Sequence, residues 1–220
     1  MVTDTQQSPT ACRAFLLTSL LVLLTGCFPL PVDVPSSPRT LDARTLGGDW
    51  YVAATNFPMW LDGGRCHPRF RYSNFADVDG DITMDDEVSY LEPGERERGT
   101  ITGFDTQDAS KLAHFTWRGD GLLALFTSEW TVAHMSPDGS FAIIFFTETP
   151  ATPSGVDVIT RDAHPSPDIM RAATKVLQGD AFLRQHARGL VQLRPAGPGA
   201  PESCSAPDGA QSRAPLASPE

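Results

Sequence analysis

Few residues in this sequence have the type and spacing of a known catalytic or metal-binding pattern. It contains no nucleophile elbow, phosphate-binding loop, dinucleotide fingerprint or zinc-ligand spacing. The acidic stretch 77–81 resembles a calcium loop, but its glycine is misplaced and position twelve is Val88 instead of glutamate. A solvated hairpin is the better interpretation. The five histidines also lack metal-like spacings, so we expect no metal site: His67, His114, His134, His164 and His186.

One tryptophan and one arginine are candidates for a structural contact. Gly48 and Trp50 open the first strand-like run, where an indole could plug the base of a β-barrel beneath a bent glycine backbone. Arg161 follows the last such run, where its guanidinium could stack on Trp50 and donate to backbone carbonyls. Such a cation–π contact contributes about 0.5–2 kcal/mol. The alternatives are a chance Gly-x-Trp and an exposed arginine at a strand end.

Short strand-like runs must position these residues. Turn sequences separate the runs, notably Asp79-Gly80, the stretch 118–121 and Asp138-Gly139. The predicted strands are 49–56, 69–76, 82–90, 99–104, 111–117, 122–132, 141–147 and 156–160. With no helix between them, a closed up-and-down barrel leaves no exposed edge. We therefore predict a mainly β fold, an eight-stranded antiparallel barrel.

A helix is predicted after the last strand, packed outside the barrel. Ser166 can cap it, Pro167 suits its first position, and Gly179 ends it. A further turn is expected over 181–186. The barrel and helix together make one domain over 46–194, and the Pro-, Ala-, Gly- and Ser-rich tail 195–220 is predicted to be disordered.

The N-terminus has the pattern of a bacterial lipoprotein. Arg13 precedes an apolar run over 14–24, and the sequence Leu24-Thr25-Gly26-Cys27 resembles a lipobox. This predicts a signal peptide over 1–26, lipidation of Cys27 and a proline-rich tether over 27–45. Phe28, in place of aspartate, favours the outer membrane of the cell envelope, facing the periplasm. An ordinary signal peptide that contains a cysteine is the alternative.

Two cysteines remain for the folded protein. Cys12 would leave with the signal peptide and Cys27 would carry lipid, so Cys66 and Cys204 are the thiols left in an oxidising compartment. We predict that they pair, which would stabilise the fold by about 4–5 kcal/mol. Two free thiols are the alternative.

The charge balance restricts the partners. The formal net charge is -10, which argues against nucleic acid and anionic membrane surfaces because phosphates need Lys and Arg. A membrane would then be contacted through the lipid anchor.

The ordered set of these motifs resembles a known family. Gly48-x-Trp50 with a late Arg161 before a helix is similar to the lipocalin pattern, and further stretches resemble the lipocalin domain of violaxanthin de-epoxidase. The resemblance covers residues 46–204 and includes both cysteines. Its stretches are Gly48–Val52, Asp62–His67, Ser128–Trp130, Val158–Arg161, Pro167–Gly179 and Pro201–Cys204.

The resemblance implies a candidate acid. The family reduces an epoxide-bearing carotenoid with ascorbate, which needs a desolvated carboxylic acid to protonate the epoxide oxygen. Asp62 has the family's spacing before Cys66. The chain departs from the family at Arg65, where the family has a second acid, at His67, where it has a glutamine, and at Phe115, which aligns with a family tyrosine. Asp62 as an ordinary loop aspartate is the alternative.

Three functions follow as hypotheses. The first is a membrane-anchored binding protein whose cup holds a hydrophobic small molecule. The second is a de-epoxidase-like oxidoreductase with Asp62 as acid and ascorbate as reductant; no other cofactor is expected. The third is a structural or assembly lipoprotein. The candidates for the cup lining or the core are Tyr51, Trp60, Phe70, Phe115, Trp117, Phe126, Trp130 and Phe145.

Overall fold

An antiparallel barrel of eight strands forms the body of the protein. The computed structural model describes residues 35, 37–38, 40–150 and 152–193. The strands are β1 (Gly48–Thr55), β2 (Cys66–Val78), β3 (Asp81–Leu91), β4 (Gly99–Gln107), β5 (His114–Gly119), β6 (Thr127–Met135), β7 (Phe141–Phe146) and β8 (Gly155–Thr160). The helices are α1 (Pro58–Leu61), α2 (Pro167–Gly179) and α3 (Ala181–His186), followed by a two-residue strand β9 (Val191–Gln192). The predicted fold class is confirmed.

The first strand closes the barrel. Strands β2 to β8 pair in chain order, and β1 joins β8 to β2. Trp50 lies opposite Phe70 of β2, and Val52 lies opposite Ile159 of β8. The short strand β9 pairs with the last two residues of β1, beyond the β1–β2 pairs. All edges of the eight strands are thereby paired, as in other closed barrels.

The connections alternate between two ends of the barrel because successive strands are antiparallel. We call the end where β1 begins and β8 ends the base. The opposite end, the mouth, carries the connections β1–β2, β3–β4, β5–β6 and β7–β8. The tight turn at Asp79-Gly80 lies at the base, where positive φ angles of 57° and 94° suit the predicted hairpin.

The helices pack on the outside of β7, β8 and β1. Ser166 caps α2 by accepting from the Ile169 N–H, as the sequence predicts, and Asp180 caps α3 through the Leu183 N–H. The apolar layer between the helices and the barrel contains residues of both. The strands contribute Ala54, Ile143, Val156 and Val158, and the helices contribute Met170, Ala173, Leu177 and Leu183. Strands β7 and β8 are therefore buried on both faces.

Two mouth connections differ from the predictions. The predicted strand 122–132 begins only at Thr127, because 121–125 forms a 3-10 helix. Leu122 and Leu125 of that helix are 96% and 92% exposed, so their apolar character does not mark a buried strand. The segment 57–64, predicted as a loop, contains the one-turn helix α1.

Several predicted features lie outside the described residues. These are the signal peptide 1–26, Cys27, the tether as far as residue 34, and the tail with Cys204. In the part of the chain that the structure describes, no helix is long and apolar enough to cross a membrane.

Candidate functional site

The base of the barrel is closed by a stacked cation. The Arg161 guanidinium lies 3.7 Å from the centre of the Trp50 ring. It donates to the carbonyls of Thr45 and Gly47, both at 2.8 Å, and of Asp49 at 3.1 Å. Since an arginine fork has several fixed donors, one side chain ties the first strand to the segment before it.

The Trp50 ring is fully buried over this end of the interior. Its Nε1 donates to the Leu46 carbonyl at 2.7 Å, at the end of a 3-10 helix, Ala43–Leu46. Gly48 has a φ of 93°, which side-chain-bearing residues rarely adopt, so the glycine permits the bend before Trp50. Nearby, Gln107 Nε2 donates to the Leu41 carbonyl at 2.8 Å. These contacts close the base of the barrel.

An aromatic stack crosses the middle of the interior. Trp130 stacks on Phe115 with ring centres 4.2 Å apart, and on Tyr72 at 5.8 Å. Phe70 lies 6.5 Å from Tyr72. The Trp117 side chain also faces the interior. It lies against Gly103, because a Cβ added at Gly103 would be only 2.6 Å from Trp117 Nε1. These rings pack on one another and make the interior apolar.

A second aromatic group covers the mouth. Trp60 of α1 lies 6.0 Å from Tyr90, and Phe57 meets Phe146 edge-on at 5.3 Å. The Arg65 guanidinium lies 4.5 Å above the Tyr90 ring. The segment between β1 and β2 is thus folded over the opening, with its positive charge at the rim.

Three aspartates lie buried within the aromatic interior. Asp105 and Asp157 are 0% and 1% exposed, and Asp86 is 8% exposed. Trp130 Nε1 donates to Asp105 Oδ1 at 2.7 Å, and the Thr55 hydroxyl bonds the Asp157 carboxyl. One oxygen of each carboxyl has no hydrogen-bond partner among the described residues: Asp86 Oδ1, Asp105 Oδ2 and Asp157 Oδ1. Unpaired buried oxygens are uncommon in folded proteins, so this cluster calls for a functional explanation.

The strand register places these aspartates around Tyr72. Asp86 lies directly opposite Tyr72 and opposite Gly103, two residues before Asp105. Asp86 and Asp105 are thus diagonal neighbours on one face, with a typical separation of roughly 7–8 Å. Asp157 approaches from β8, on the same face as Ile159.

Burial raises the pKa of each of these carboxyls. The pKa of Asp105 rises to about 7 although the Trp130 hydrogen bond opposes the rise, and that of Asp157 rises to about 7 against the Thr55 bond. Burial, and then the charge of Asp105, raises the pKa of Asp86 well above its usual value. Burial followed by the three carboxylates also raises the pKa of Tyr72. The cluster can therefore hold or release protons near neutral pH.

The pKa shifts of these carboxyls reflect burial and negative charge and not a neighbouring cation. No Lys, Arg or His among the described residues contributes to the pKa shift of Asp86, Asp105 or Asp157, and the ion pairs of Asp42, Asp49 and Asp168 lie elsewhere. Nor do the described residues contain three His, Cys, Asp or Glu side chains arranged to hold a metal ion. What the arrangement offers is hydrogen bonding and negative charge in an apolar surrounding.

The loop acid predicted from the sequence lies elsewhere. Asp62 is exposed at the end of α1, and its Oδ1 accepts the Gly64 N–H at 2.8 Å. This contact is the local turn bond of a loop aspartate. The carboxyls that the structure buries in the interior are those of Asp86, Asp105 and Asp157.

The predicted lining residues divide between the two faces of the sheet. Phe70, Phe115, Trp117 and Trp130 face the interior, and Trp60 lies at the mouth. Tyr51 follows the inward Trp50, so it lies on the outer face, half-buried. Phe126 is 54% exposed after the 3-10 helix of the β5–β6 connection.

Phe145 does not line the interior. Its ring meets Phe182 and His186 of α3, at 4.8 Å and 5.1 Å between ring centres. The apolar run Phe141–Phe146 gives no alternation because β7 is covered by the interior on one side and by helices on the other.

The buried aspartates were missed from the sequence. One pattern could have revealed Asp157, because it is an acid within the otherwise apolar run Val156–Ile159. In a strand buried on both faces, such a residue must lie in a core. Asp86 gives no such indication, since it stands between Asp85 and Glu87.

Comparisons with known proteins agree with the architecture. No protein-family model and no curated protein matches the sequence. Lobster apocrustacyanin A1 and apocrustacyanin C2 each match with a TM-score of 0.51 at 12% identity, over 75% of this chain and 92% of theirs. The siderocalin Ex-FABP matches with a TM-score of 0.47 at 17% identity, over 69% of this chain and 95% of its own. At such identities the similarity concerns the fold alone. The barrel, its closure and its following helix are those of the lipocalin fold.

Proposed function

We propose that the barrel binds one hydrophobic small molecule in its interior and orients it through a polar group. The observation that carries the proposal is the set of three buried carboxyl oxygens without partners, on Asp86, Asp105 and Asp157. A purely structural core of this fold would be expected to pair or omit such groups, because each unpaired oxygen costs about 1–3 kcal/mol.

The surroundings of these oxygens support a ligand site. Small-molecule sites are mainly apolar, with a few polar groups that fix orientation, and eight-stranded barrels can hold one small ligand. Here Phe70, Phe115 and Trp130 supply the apolar faces and the aspartates supply the polar groups. The stacked Arg161 and Trp50 keep the base closed, so access would be through the mouth.

A titration with N-phenyl-1-naphthylamine, a neutral fluorophore, tests the proposal. We expect saturable binding that Trp117→Leu weakens by about fivefold, the equivalent of one aromatic contact of about 1 kcal/mol. Tyr51→Leu is the matched control because Tyr51 is an equally half-buried aromatic residue on the outer face. Equal affinities in both variants, or no saturable binding, would contradict an interior site and favour a structural or assembly role.

A de-epoxidase-like activity is a second proposal. The observation in its favour is that Asp105 and Asp157, with pKa values near 7, could protonate an epoxide oxygen in an apolar surrounding. Both C–O bonds of the epoxide would break and a C=C bond would form. The oxygen would leave as water, and ascorbate would supply two electrons and two protons as it becomes dehydroascorbate.

Incubation with an epoxycarotenoid and ascorbate near pH 6 tests this activity. Product that disappears in Asp105→Asn and persists in Asp62→Asn would assign the acid to the interior. Product that disappears only in Asp62→Asn would assign it to the loop, as the family resemblance implies. Failure of the wild-type protein to form product would exclude the reaction.

We also propose lipid anchoring through Cys27 at the cell envelope, which the lipobox-like sequence Leu24-Thr25-Gly26-Cys27 supports. It would hold the barrel near a membrane, where hydrophobic molecules are concentrated. The predicted Cys66–Cys204 bond would join the start of β2 to the C-terminal tail.

A further inference from the structure

We infer that the bound molecule is an amphipathic organic cation, with its ammonium group between Asp86 and Asp105 and its apolar part in the aromatic interior. The inference rests on the proposed function, because it names the chemical class of ligand for the same site. It follows from charge, donor count and ring placement.

Charge favours a cation over other ligands. The ion pairs of the described residues do not involve the three buried acids, and the neighbouring Glu87 adds negative charge that acts on Asp86. Above about pH 7, where burial no longer keeps the Asp105 carboxyl protonated because its pKa is about 7, a carboxylate ligand would be repelled by this cluster. An ammonium would neutralise it in an apolar surrounding, where electrostatic attraction is stronger than in water.

The number of free acceptors also fits an ammonium. A primary ammonium has three N–H donors and no acceptor. Two unpartnered oxygens of neighbouring carboxyls, Asp86 Oδ1 and Asp105 Oδ2, can accept two of these N–H groups. The Trp130 bond to Asp105 Oδ1 holds that carboxyl in place and leaves its second oxygen free.

The aromatic stack suits the same ligand. Tyr72, Phe115 and Trp130 surround the carboxyls with apolar area, and aromatic ring faces carry negative potential, which attracts a cation. The Trp130 ring belongs to the stack and also bonds Asp105, so the polar and apolar parts of the site adjoin.

Calorimetric titration of the full chain with three eight-carbon molecules tests the inference: n-octylammonium, 1-octanol and octanoate. We expect n-octylammonium to bind at least about tenfold more tightly than 1-octanol, and octanoate to bind most weakly. Equal or tighter binding of 1-octanol would overturn the inference while leaving the proposed function standing. If none of the three binds, the proposed function fails as well.

Three variants locate the charge preference. Asp86→Asn and Asp105→Asn should each reduce the preference for n-octylammonium over 1-octanol several-fold without weakening 1-octanol binding. Asp85→Asn is the matched control, an exposed acid next to Asp86 whose change should leave the preference unaltered. An unaltered preference in both interior variants would contradict the inference, as would an equal loss in Asp85→Asn.

Discussion

The protein should become less stable as pH rises, and replacing Asp157 with asparagine should make this loss of stability smaller. Its pKa is raised by burial from 3.8 to about 7 in the folded protein. Between these values the unfolded chain has already lost the proton that the folded chain keeps. The free energy of unfolding therefore falls with rising pH, and the stability that the neutral carboxyl allows is lost as pH passes through 7.

The magnitude follows from the pKa difference. Each pH unit in this window lowers the free energy of unfolding by about 1.4 kcal/mol for this one group. From pH 5 to pH 8 the free energy of unfolding falls by about 3 kcal/mol. The fall ends near pH 7 because the folded protein also loses the proton there. Asp105, with the same raised pKa, should contribute a fall of similar size. Relative to the wild type, the Asp157→Asn protein should therefore gain about 3 kcal/mol in free energy of unfolding between pH 5 and pH 8.

Urea unfolding followed by tryptophan fluorescence at pH 5, 6, 7 and 8 measures this effect. Burial lowers the pKa of His114 and His134, which acts in the opposite direction, but both histidines are present in both proteins and cancel in the difference. Asp85→Asn on the outer face of β3 serves as the control, with the slope of the wild type expected. An unchanged pH dependence in Asp157→Asn would refute the account of a buried, ionisable carboxyl.

Three further predictions concern the base, the cysteines and the anchor. Arg161→Met removes the stacking on Trp50 and three hydrogen bonds, and should lower the free energy of unfolding by about 2–4 kcal/mol in urea; a change below 0.5 kcal/mol would show that the base does not depend on it. Thiol titration of unfolded, unreduced mature protein should find neither Cys66 nor Cys204 reactive, and two reactive thiols would exclude the bond. Cys27→Ser should leave the protein soluble in the periplasm, whereas continued membrane association would argue against a lipid anchor.

Local chemistry explains which parts of the fold could be predicted from the sequence. The turn at Asp79-Gly80 and the helix α2 depend on residues with strong local preferences, a glycine at positive φ and a capping Ser166. Arg161 and Trp50 are far apart in the chain, but each stands at a strand end that the barrel brings to the base.

The interior site could not be predicted in the same way. Its aspartates come from β3, β4 and β8, and only the register of the closed barrel brings them around Tyr72. The apolar run of β7 conceals which residues face inward, so the sequence leaves open whether Phe145 lines the interior or lies in the core under the helices, where the structure places it. The sequence places Leu122 in a strand because the residue is apolar, but Leu122 is exposed in the structure. An apolar residue type does not by itself show that a residue is buried.

Stability and function oppose each other at this site. Asp105 and Asp157 weaken the empty barrel near and above neutral pH because charged carboxyls are poorly solvated there. A bound ligand that pairs with them would remove the penalty and raise the free energy of unfolding. Residues that cost stability in this way are characteristic of binding sites.

Mass spectrometry of an organic extract tests most directly whether the barrel carries a small molecule. The protein would be purified from cells without denaturation, and one half would be unfolded in urea and washed before extraction. The account predicts a hydrophobic molecule with a basic nitrogen in the extract of the folded half, near one per chain, and its loss from the unfolded half. Extracts of folded protein that contain no such molecule, or the same amount after unfolding and washing, would contradict it.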